Sequence, residues 1–367
     1  MQIAFEAKRI FHNHSGLGNY GRNLVRSLAE HQPGLKLKLY NYRPGPIKFQ
    51  PAPQVEEVQP RNYSGFLANL WRQRFIWKQA EREGADIYHG LAQELPRGIG
   101  KSRLKTVITV HDLIFIRFPK LYKPIDRRIY KLKLKHACQH ADVIVAVSRQ
   151  TRQDLVELLG VDPQKILVIH QGCAPVFWQN HRESYAALTK KYALPERFAL
   201  FVGTLEPRKN PHRLLKKCLE LKIPIILVGR VTKFWRDFRA SLPPEGQEWR
   251  VLKVDSNLEL AALYQMAAMF CYPSVFEGFG IPVLEAMVSG TPVITGHNSA
   301  LPEVAGPGGF LIDVDSDEEL GGALQKLWQD ESLQRQLQKE ARVYAQQFAD
   351  RTLVAQWMDC YQNMLGQ

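Results

Sequence analysis

Short apolar runs alternate with amphipathic stretches along almost the whole chain, and few folds accommodate that pattern. In the first half, residues 2–7, 35–40, 87–89, 106–110 and 143–147 read as strands, with helical periodicity near 20–30, 66–83, 125–139 and 149–159. The second half repeats the theme, with strands at 198–202, 225–228, 250–254, 269–272, 292–295 and 309–311. Alternating strand and helix implies a parallel sheet covered by helices on both faces. A length of 367 residues is ample for two such domains. The periodicity breaks at Gln171-Gly172-Cys173-Ala174-Pro175, which places the expected division at 1–172 and 173–348.

Composition narrows the setting. No run of about 18 apolar residues occurs, so no transmembrane helix is expected, and Met1-Gln2-Ile3-Ala4-Phe5-Glu6 reads as a first strand rather than a signal peptide. The five cysteines are scattered, without a Cys-x-x-Cys pair, which fits reduced thiols in the cytosol and argues against a structural zinc. Charge is distributed unevenly. Residues 1–172 carry 28 Lys+Arg against 14 Asp+Glu, and the remainder carries 21 against 22. The first half is therefore expected to face something anionic: a phosphorylated lipid acceptor, an acidic bilayer or a nucleic acid. Nucleic acid is disfavoured, because no zinc spacing, recognition-helix module or RNA-stacking signature accompanies the charge.

The richest segment is Phe276-Glu277-Gly278-Phe279-Gly280-Ile281-Pro282-Val283-Leu284-Glu285-Ala286-Met287. It follows an apolar run ending in Tyr272-Pro273-Ser274 and precedes a helical pattern opened by Pro282, so it reads as a strand–loop–helix turn. Such a turn aims backbone N–H groups and a helix N-terminus at a ligand above the sheet. Two carboxylates flank the glycines, Glu277 in the loop and Glu285 in the expected first helical turn, and each can grip a vicinal diol. Arg208 and Lys209 follow Pro207 just after another strand, where a planar fork and a point charge can neutralise a diphosphate. The duller readings are two solvated surface cations and a glutamate that only complements a helix dipole. His111 ends the strand Thr106-Val107-Ile108-Thr109-Val110, which puts it, with Asp112, at the carboxyl edge of the first sheet.

The Glu-x7-Glu segment resembles that of the retaining glycosyltransferases with the two-domain GT-B fold, glycosyltransferase family 4 (glycosyl transferases group 1), in the branch rich in bacterial mannosyltransferases. Three further segments match in order: Ser15-Gly16-Leu17-Gly18-Asn19-Tyr20, Val110-His111-Asp112-Leu113, and Val202-Gly203-Thr204-Leu205-Glu206-Pro207-Arg208-Lys209-Asn210. Together they span roughly the whole chain. The resemblance implies two Rossmann-like domains facing a cleft, the first for the acceptor and the second for the nucleotide-sugar, with a last helix, about 349–367, crossing back to the first. It implies that Glu285 holds the ribose, that Glu277 contacts the transferred sugar, and that the backbone of Gly278, Phe279 and Gly280 cradles its hydroxyls. Gly16, Gly18, Thr204, Arg208 and Lys209 would serve the diphosphate, and His111 the sugar or the acceptor. Some family members carry arginine where this chain has Thr204, which shifts the phosphate grip toward Arg208 and Lys209. The implied reaction is front-face transfer with retention, helped by the diphosphate as base, with GDP-mannose as donor (UDP-sugars remain open) and no metal. A sugar-nucleotide epimerase or a phosphorylase on the same scaffold is the rival enzyme reading, and a non-catalytic membrane- or polyanion-binding protein is the rival from another class. The implied location is cytoplasmic, with the inner membrane face as the site of work.

Three segments stay open to two readings. Gly16-Leu17-Gly18-Asn19-Tyr20-Gly21 spells the dinucleotide fingerprint, but Leu35-Lys36-Leu37-Lys38 stands where an NAD site needs an acid, so a glycine loop near the donor diphosphate fits better. Asp313-Val314-Asp315-Ser316-Asp317 could bind a metal, yet the apolar-periodic helix that follows makes these acids caps. Residues 118–136 are strongly basic, with Arg127, Arg128, Lys131 and Lys135 beside the stripe Ile125, Ile129 and Leu132. Either the stripe packs inward, or it meets an anionic membrane or lipid diphosphate together with 66–78.

Overall fold

The computed structural model describes residues 1–60, 65–242, 244–246 and 248–366. The chain divides into two compact units, Met1–Gly172 with Phe348–Gln367, and Cys173–Gln347. The first unit holds a seven-stranded sheet of β1 (Gln2–Glu6), β2 (Lys36–Tyr40), β3 (Val55–Val58), β4 (Ile87–Gly90), β5 (Lys105–Val110), β6 (Val143–Ala146) and β7 (Ile166–Val168). Their order is β3-β2-β1-β4-β5-β6-β7, and every pairing is parallel. The second unit holds β8 (Ala199–Val202), β9 (Ile225–Val228), β10 (Trp249–Leu252), β11 (Met269–Tyr272), β12 (Val293–Gly296) and β13 (Gly309–Ile312), in the order β10-β9-β8-β11-β12-β13, again all parallel.

The strand chemistry follows from burial on both faces. Five of the six β5 residues are Val, Ile or Thr, Thr106-Val107-Ile108-Thr109-Val110, and only Lys105 at its start is exposed; β-branched side chains suit that pleated, enclosed position. The helix Arg149–Leu159 shows the complementary local logic. Ser148 accepts from the Thr151 N–H at its N-terminus, and Gly160 ends it in the left-handed region at φ +66°. Two strands escape the sequence pattern. Val55–Val58 and Ile166–Val168 are short, one carries two glutamates, and both are sheet edges, where short or charged strands resist unwanted pairing.

The expected helix over 66–83 is two helices, Gly65–Arg74 and Ile76–Arg82, broken at Phe75. Trp71, Ile76 and Trp77 are all buried. At about 100° per residue a straight helix would spread positions 71 and 76 some 140° apart, so the break lets one apolar face serve both. Arg72, on this segment, is buried against Glu6 rather than displayed to solvent.

The last helix, Asp350–Leu365, packs on the first sheet. Its Leu353, Val354, Trp357, Cys360 and Tyr361 share a core with Ile3, Phe5, Val25, Leu28 and Val107. A buried polar chain fixes it. His89 Nδ1 is 2.9 Å from Tyr361 Oη and its Nε2 2.9 Å from Thr109 Oγ1, which is also 3.1 Å from Tyr20 Oη. Burial, followed by the field of His111, lowers the His89 pKa to about 3, so the ring is neutral. Tyr361→Phe leaves a buried imidazole nitrogen unpaired, and a loss of about 1–3 kcal/mol is expected in urea denaturation. An unchanged midpoint would show that the contact adds nothing to the attachment of this helix.

Candidate active site

In each sheet the chain order reverses once, between β1 and β4 in the first and between β8 and β11 in the second. Loops leaving the carboxyl ends of such neighbours diverge and open a crevice, the place where parallel α/β sheets bind ligands.

In the second unit the loop after β8 carries Arg208 and Lys209 in a single turn, Pro207–Lys209. The loop after β11 carries Ser274 and Glu277. The two are tied by the Val275 N–H, which donates to Arg208 O at 2.8 Å. Glu277 is the centre of the cluster. Its Oε1 accepts from Ser274 Oγ at 2.8 Å and from Tyr272 Oη at 2.9 Å, and lies 3.0 Å from Arg208 Nη1 and 3.6 Å from Lys209 Nζ. Lys209 donates to Tyr272 Oη at 2.6 Å, so the phenol relays a hydrogen bond from the ammonium to the carboxylate. Arg208 also donates to Phe276 O and, at 2.8 Å, to Glu206 Oε1. Burial alone would raise the Glu277 pKa, but Lys209 and Arg208, with the hydroxyls of Ser274 and Tyr272, outweigh it and hold the carboxyl below the usual range. For Arg208, burial opposes the charge and is overcome by Glu277 and Glu206. Much of the Arg208 fork is thus engaged in holding the loops, whereas Lys209 has one close partner.

Thr204 makes the turn into this segment, its carbonyl accepting from the Glu206 N–H at 2.9 Å. Gly278, Phe279 and Gly280 are buried. Gly280 stands at φ +114° immediately before the helix Ile281–Val288, a conformation that favours glycine. The helix begins at Ile281, so Glu285 lies in its second turn and not, as expected, its first, and a dipole-capping role is removed. Its carboxyl is buried beside Tyr264, whose Oη is 3.1 Å from Oε2. Burial raises its pKa to about 8 despite that hydrogen bond, so at neutral pH it is protonated, able both to donate and to accept. Tyr272, Ser274 and Tyr264 carry no motif signature, but the first two stand at the carboxyl end of β11, where the rule that singles out Arg208 applies equally.

In the first unit, His111 and Asp112 leave the end of β5. His111 is buried, its Nε2–H donating to Leu91 O at 2.9 Å and its Nδ1 facing Gln171 Nε2 at 3.3 Å, with Tyr20 edge-on at 4.7 Å. Burial lowers its pKa to about 4. The imidazole is therefore neutral, with its one N–H directed at a backbone carbonyl. Asp112 Oδ1 accepts from the Ile114 N–H at 3.0 Å, while its carbonyl accepts from Gln93 at 3.0 Å. Asp112 and Gln93 line a cavity of about 230 Å³ with Arg9, Leu17, Tyr130 and Lys133. The expected glycine loop is not a loop. Gly16 and Gly18 belong to the first turn of the helix Gly16–His31, and the N–H groups of Gly18 and Asn19 are bonded to Ser15 O. A Cβ at Gly18 would lie 1.9 Å from Asn13 O, so this glycine serves close packing. Arg208, Lys209, Glu277 and Glu285 belong to the second unit, and Gly16, Gly18, His111 and Asp112 to the first.

The acids from Asp313 cap and pair. Ser316 accepts from the Glu319 N–H, Asp313 Oδ1 from the Asp315 N–H, and Asp317 binds Arg213 at 2.7 Å. Among the described residues no group of three or more His, Cys, Asp or Glu is placed to hold a metal. In the basic helix Pro124–His140 the buried face is Leu134, Ala137 and Cys138. Ile125, Ile129 and Leu132 do not pack inward; they are 62, 42 and 61% exposed, and Arg128, Lys131 and Lys135 are exposed beside them, with Arg127 half-buried.

Two family models match the chain, Glycosyltransferase Family 4 over residues 14–175 and Glycosyl transferases group 1 over residues 187–344. The chain is 30% identical to O-antigen chain mannosyltransferase B of Escherichia coli, across 98% of this chain and 99% of that protein. Its fold is similar to sucrose-phosphate synthase from Thermosynechococcus elongatus (TM-score 0.77, 18% identity, 100% and 99% of the two chains). It is also similar to HepE of Anabaena, solved in complex with UDP and glucose (TM-score 0.74, 17% identity, 98% of each chain). Paired parallel sheets, matching models in both halves and full-length similarity to a mannosyltransferase lead to one conclusion: the chain is a glycosyltransferase of family 4, with the GT-B fold.

Proposed function

We propose that the protein transfers mannose from GDP-mannose to a hydroxyl of a glycan or lipid-linked acceptor, with retention, in the assembly of a cell-surface polysaccharide. The observation that carries the donor site is the cation pair Arg208 and Lys209, held with Glu277 at the reversal of the second sheet. Similarity to an O-antigen mannosyltransferase over the whole chain supports mannose as the sugar. In this reading residues 173–348 hold the donor and residues 1–172 with 349–367 the acceptor.

The anomeric carbon–oxygen bond to the diphosphate breaks as a bond to the acceptor oxygen forms on the same face, and the acceptor proton passes to the departing diphosphate. Negative charge grows on that leaving group, so fixed cations there lower the barrier. Lys209 supplies the more available charge, and Arg208 places the loops and contributes from behind them. Glu277, kept ionised, accepts from hydroxyls of the transferred sugar, with Gly278, Phe279 and Gly280 around it. Glu285, protonated at rest, exchanges hydrogen bonds with the ribose diol. His111, with its N–H engaged, acts by placing the backbone at Asp112 on the acceptor side rather than by donating a proton. No metal is required. The exposed stripe of Ile125, Ile129 and Leu132 with Arg127, Arg128, Lys131 and Lys135 is suited to the inner face of an anionic membrane, where a lipid-linked acceptor resides.

Lys209→Ala is expected to reduce kcat/KM for GDP-mannose by about ten- to a hundredfold, the equivalent of about 1.5–3 kcal/mol for a charged hydrogen bond. Wild-type turnover should persist in EDTA. Turnover of a UDP-hexose in place of GDP-mannose would reassign the base, and wild-type kinetics for the variant would remove Lys209 from the site.

Glu285 gives a prediction in pH. Its folded pKa, about 8, lies above the unfolded value of about 4.3, so between these limits the folded chain holds a proton that the unfolded chain has released. Stability from this group is therefore present at low pH and is lost as pH rises toward 8. Glu285→Gln, which stays neutral, should match wild-type in Tm at pH 5 and exceed it progressively up to pH 8.5, while donor handling weakens. A difference independent of pH would contradict the raised pKa.

Vesicles containing acidic lipid should bind the protein at low salt, and neutral vesicles should not. Replacing Arg127, Arg128, Lys131 and Lys135 by Gln should weaken that binding by roughly 1 kcal/mol per residue. Equal partitioning of wild-type and the fourfold variant in a sedimentation assay would leave the exposed stripe without this role.

A further inference from the structure

A groove of about 810 Å³ in the second unit is lined by the helix Glu331–Ala345, by the segment 178–185, and by Ser289 and Gly290. Ser289 and Gly290 follow the helix Ile281–Val288 and precede β12, so they stand at the amino edge of the sheet. The loop of Gly278, Phe279 and Gly280 enters the same helix at its other end. Eight helical residues span about 12 Å, and that length separates the groove from the Glu277 cluster.

Four cations line the groove, Arg182, Arg335, Lys339 and Arg342, and no aspartate or glutamate does. Arg335 is paired with Glu331 at 3.2 Å. Among the described residues Arg182, Lys339 and Arg342 form no ion pair; of the nearby acids, Glu183 lies 3.8 Å from His181 Nδ1, and Glu340 accepts from Gln336 at 3.0 Å. Composition does not produce this concentration, since residues 173–367 carry 21 Lys+Arg against 22 Asp+Glu. Arg335, Lys339 and Arg342 stand at i, i+4 and i+7, on one helix face, where neighbouring like charges repel and weaken the helix. Arg342 is also held in place. Gly290 stands at φ +82°, and a Cβ there would lie 2.7 Å from Arg342 Nη2, so the guanidinium rests against bare backbone. The carbonyl end of the helix Ile281–Val288 favours one such cation but does not account for the other three.

We propose that this groove binds a soluble ligand carrying two or more phosphate groups. Each phosphate group carries about −1.5 to −2 charges at pH 7, so two of them offset the three unpaired cations, whereas a dicarboxylate offsets only two. Guanidinium forks grip phosphate oxygens in pairs, and the helical row is about 10 Å long, enough to meet adjacent phosphates. Val343 is the one exposed large apolar residue in the lining. The groove therefore lacks the apolar stripe that accompanies the cations of the helix Pro124–His140, and a dissolved ligand suits it better than a bilayer.

Hydrogen exchange on the full-length protein, titrated with inorganic pyrophosphate, tests the site. Exchange in 335–346 should slow, with a midpoint at least tenfold below those for inorganic phosphate and for succinate. Lys339→Gln combined with Arg342→Gln, two exposed positions, should keep the wild-type Tm and move the pyrophosphate midpoint at least tenfold higher. Arg128→Gln combined with Lys131→Gln removes the same charge elsewhere and should leave that midpoint within about twofold. No slowing in 335–346, equal midpoints for pyrophosphate and succinate, or equal shifts in the two double variants would overturn the site. Slowing by phosphatidate vesicles and not by pyrophosphate would overturn the soluble ligand. Exchange in 203–210 and 274–285 reports the donor cluster separately, so the failure of either reading is seen without the other.

Discussion

The largely enclosed charge of Glu277 organises the second unit. A carboxylate enclosed this deeply is tolerated only when cations and hydroxyls compensate it, and here Arg208, Lys209, Ser274 and Tyr272 all converge on one oxygen. Two loops distant in sequence, after β8 and after β11, are thereby held in a single arrangement. Removing a charged partner would leave charge uncompensated in a poorly solvated place, so the cluster locks the two loops together. Glu285, one turn into the following helix, shows the opposite outcome. With the Tyr264 hydroxyl as its hydrogen-bond partner, burial prevails and the carboxyl keeps its proton.

The first unit applies the same topology to a different end. Its reversal point brings together Asp112, Gln93, Glu94 and Arg72, and Glu94 is ion-paired with both Arg72 and Lys133. The buried chain from Tyr20 through Thr109 and His89 to Tyr361 stands behind that edge and binds the last helix to it. His111 belongs to this rigid framework more than to the reacting surface, since its ring is neutral and its N–H is committed to Leu91.

Much of this was legible from residue order. Periodicity located eleven of the thirteen strands among the described residues because most of them are short, largely apolar runs; β3 and β7 escaped because they are short edge strands, one of them carrying two glutamates. Glu277, Arg208 and Lys209 were legible because a glycine-rich turn after an apolar run announces a loop at a sheet edge. The expected loop at 16–21 is helix instead, because glycine serves close packing as well as loop flexibility, and at Gly18 only the 1.9 Å approach of Asn13 O to a Cβ separates the two.

By itself, then, the sequence determined two parallel α/β units, the family, and the loops that carry Arg208, Lys209 and Glu277, since all of these follow from local pattern and short motifs. Tertiary structure alone decided the rest. Which face of the basic helix is buried depends on its neighbours, and they chose Leu134, Ala137 and Cys138 over the stripe of Ile125, Ile129 and Leu132. The protonation of Glu285 and of His111 depends on enclosure and on partners far away in sequence. Glu6, Arg72, Tyr88, Glu94 and His136 come from segments up to 130 positions apart and carry no motif; only the strand order of the sheet brings them to one cavity.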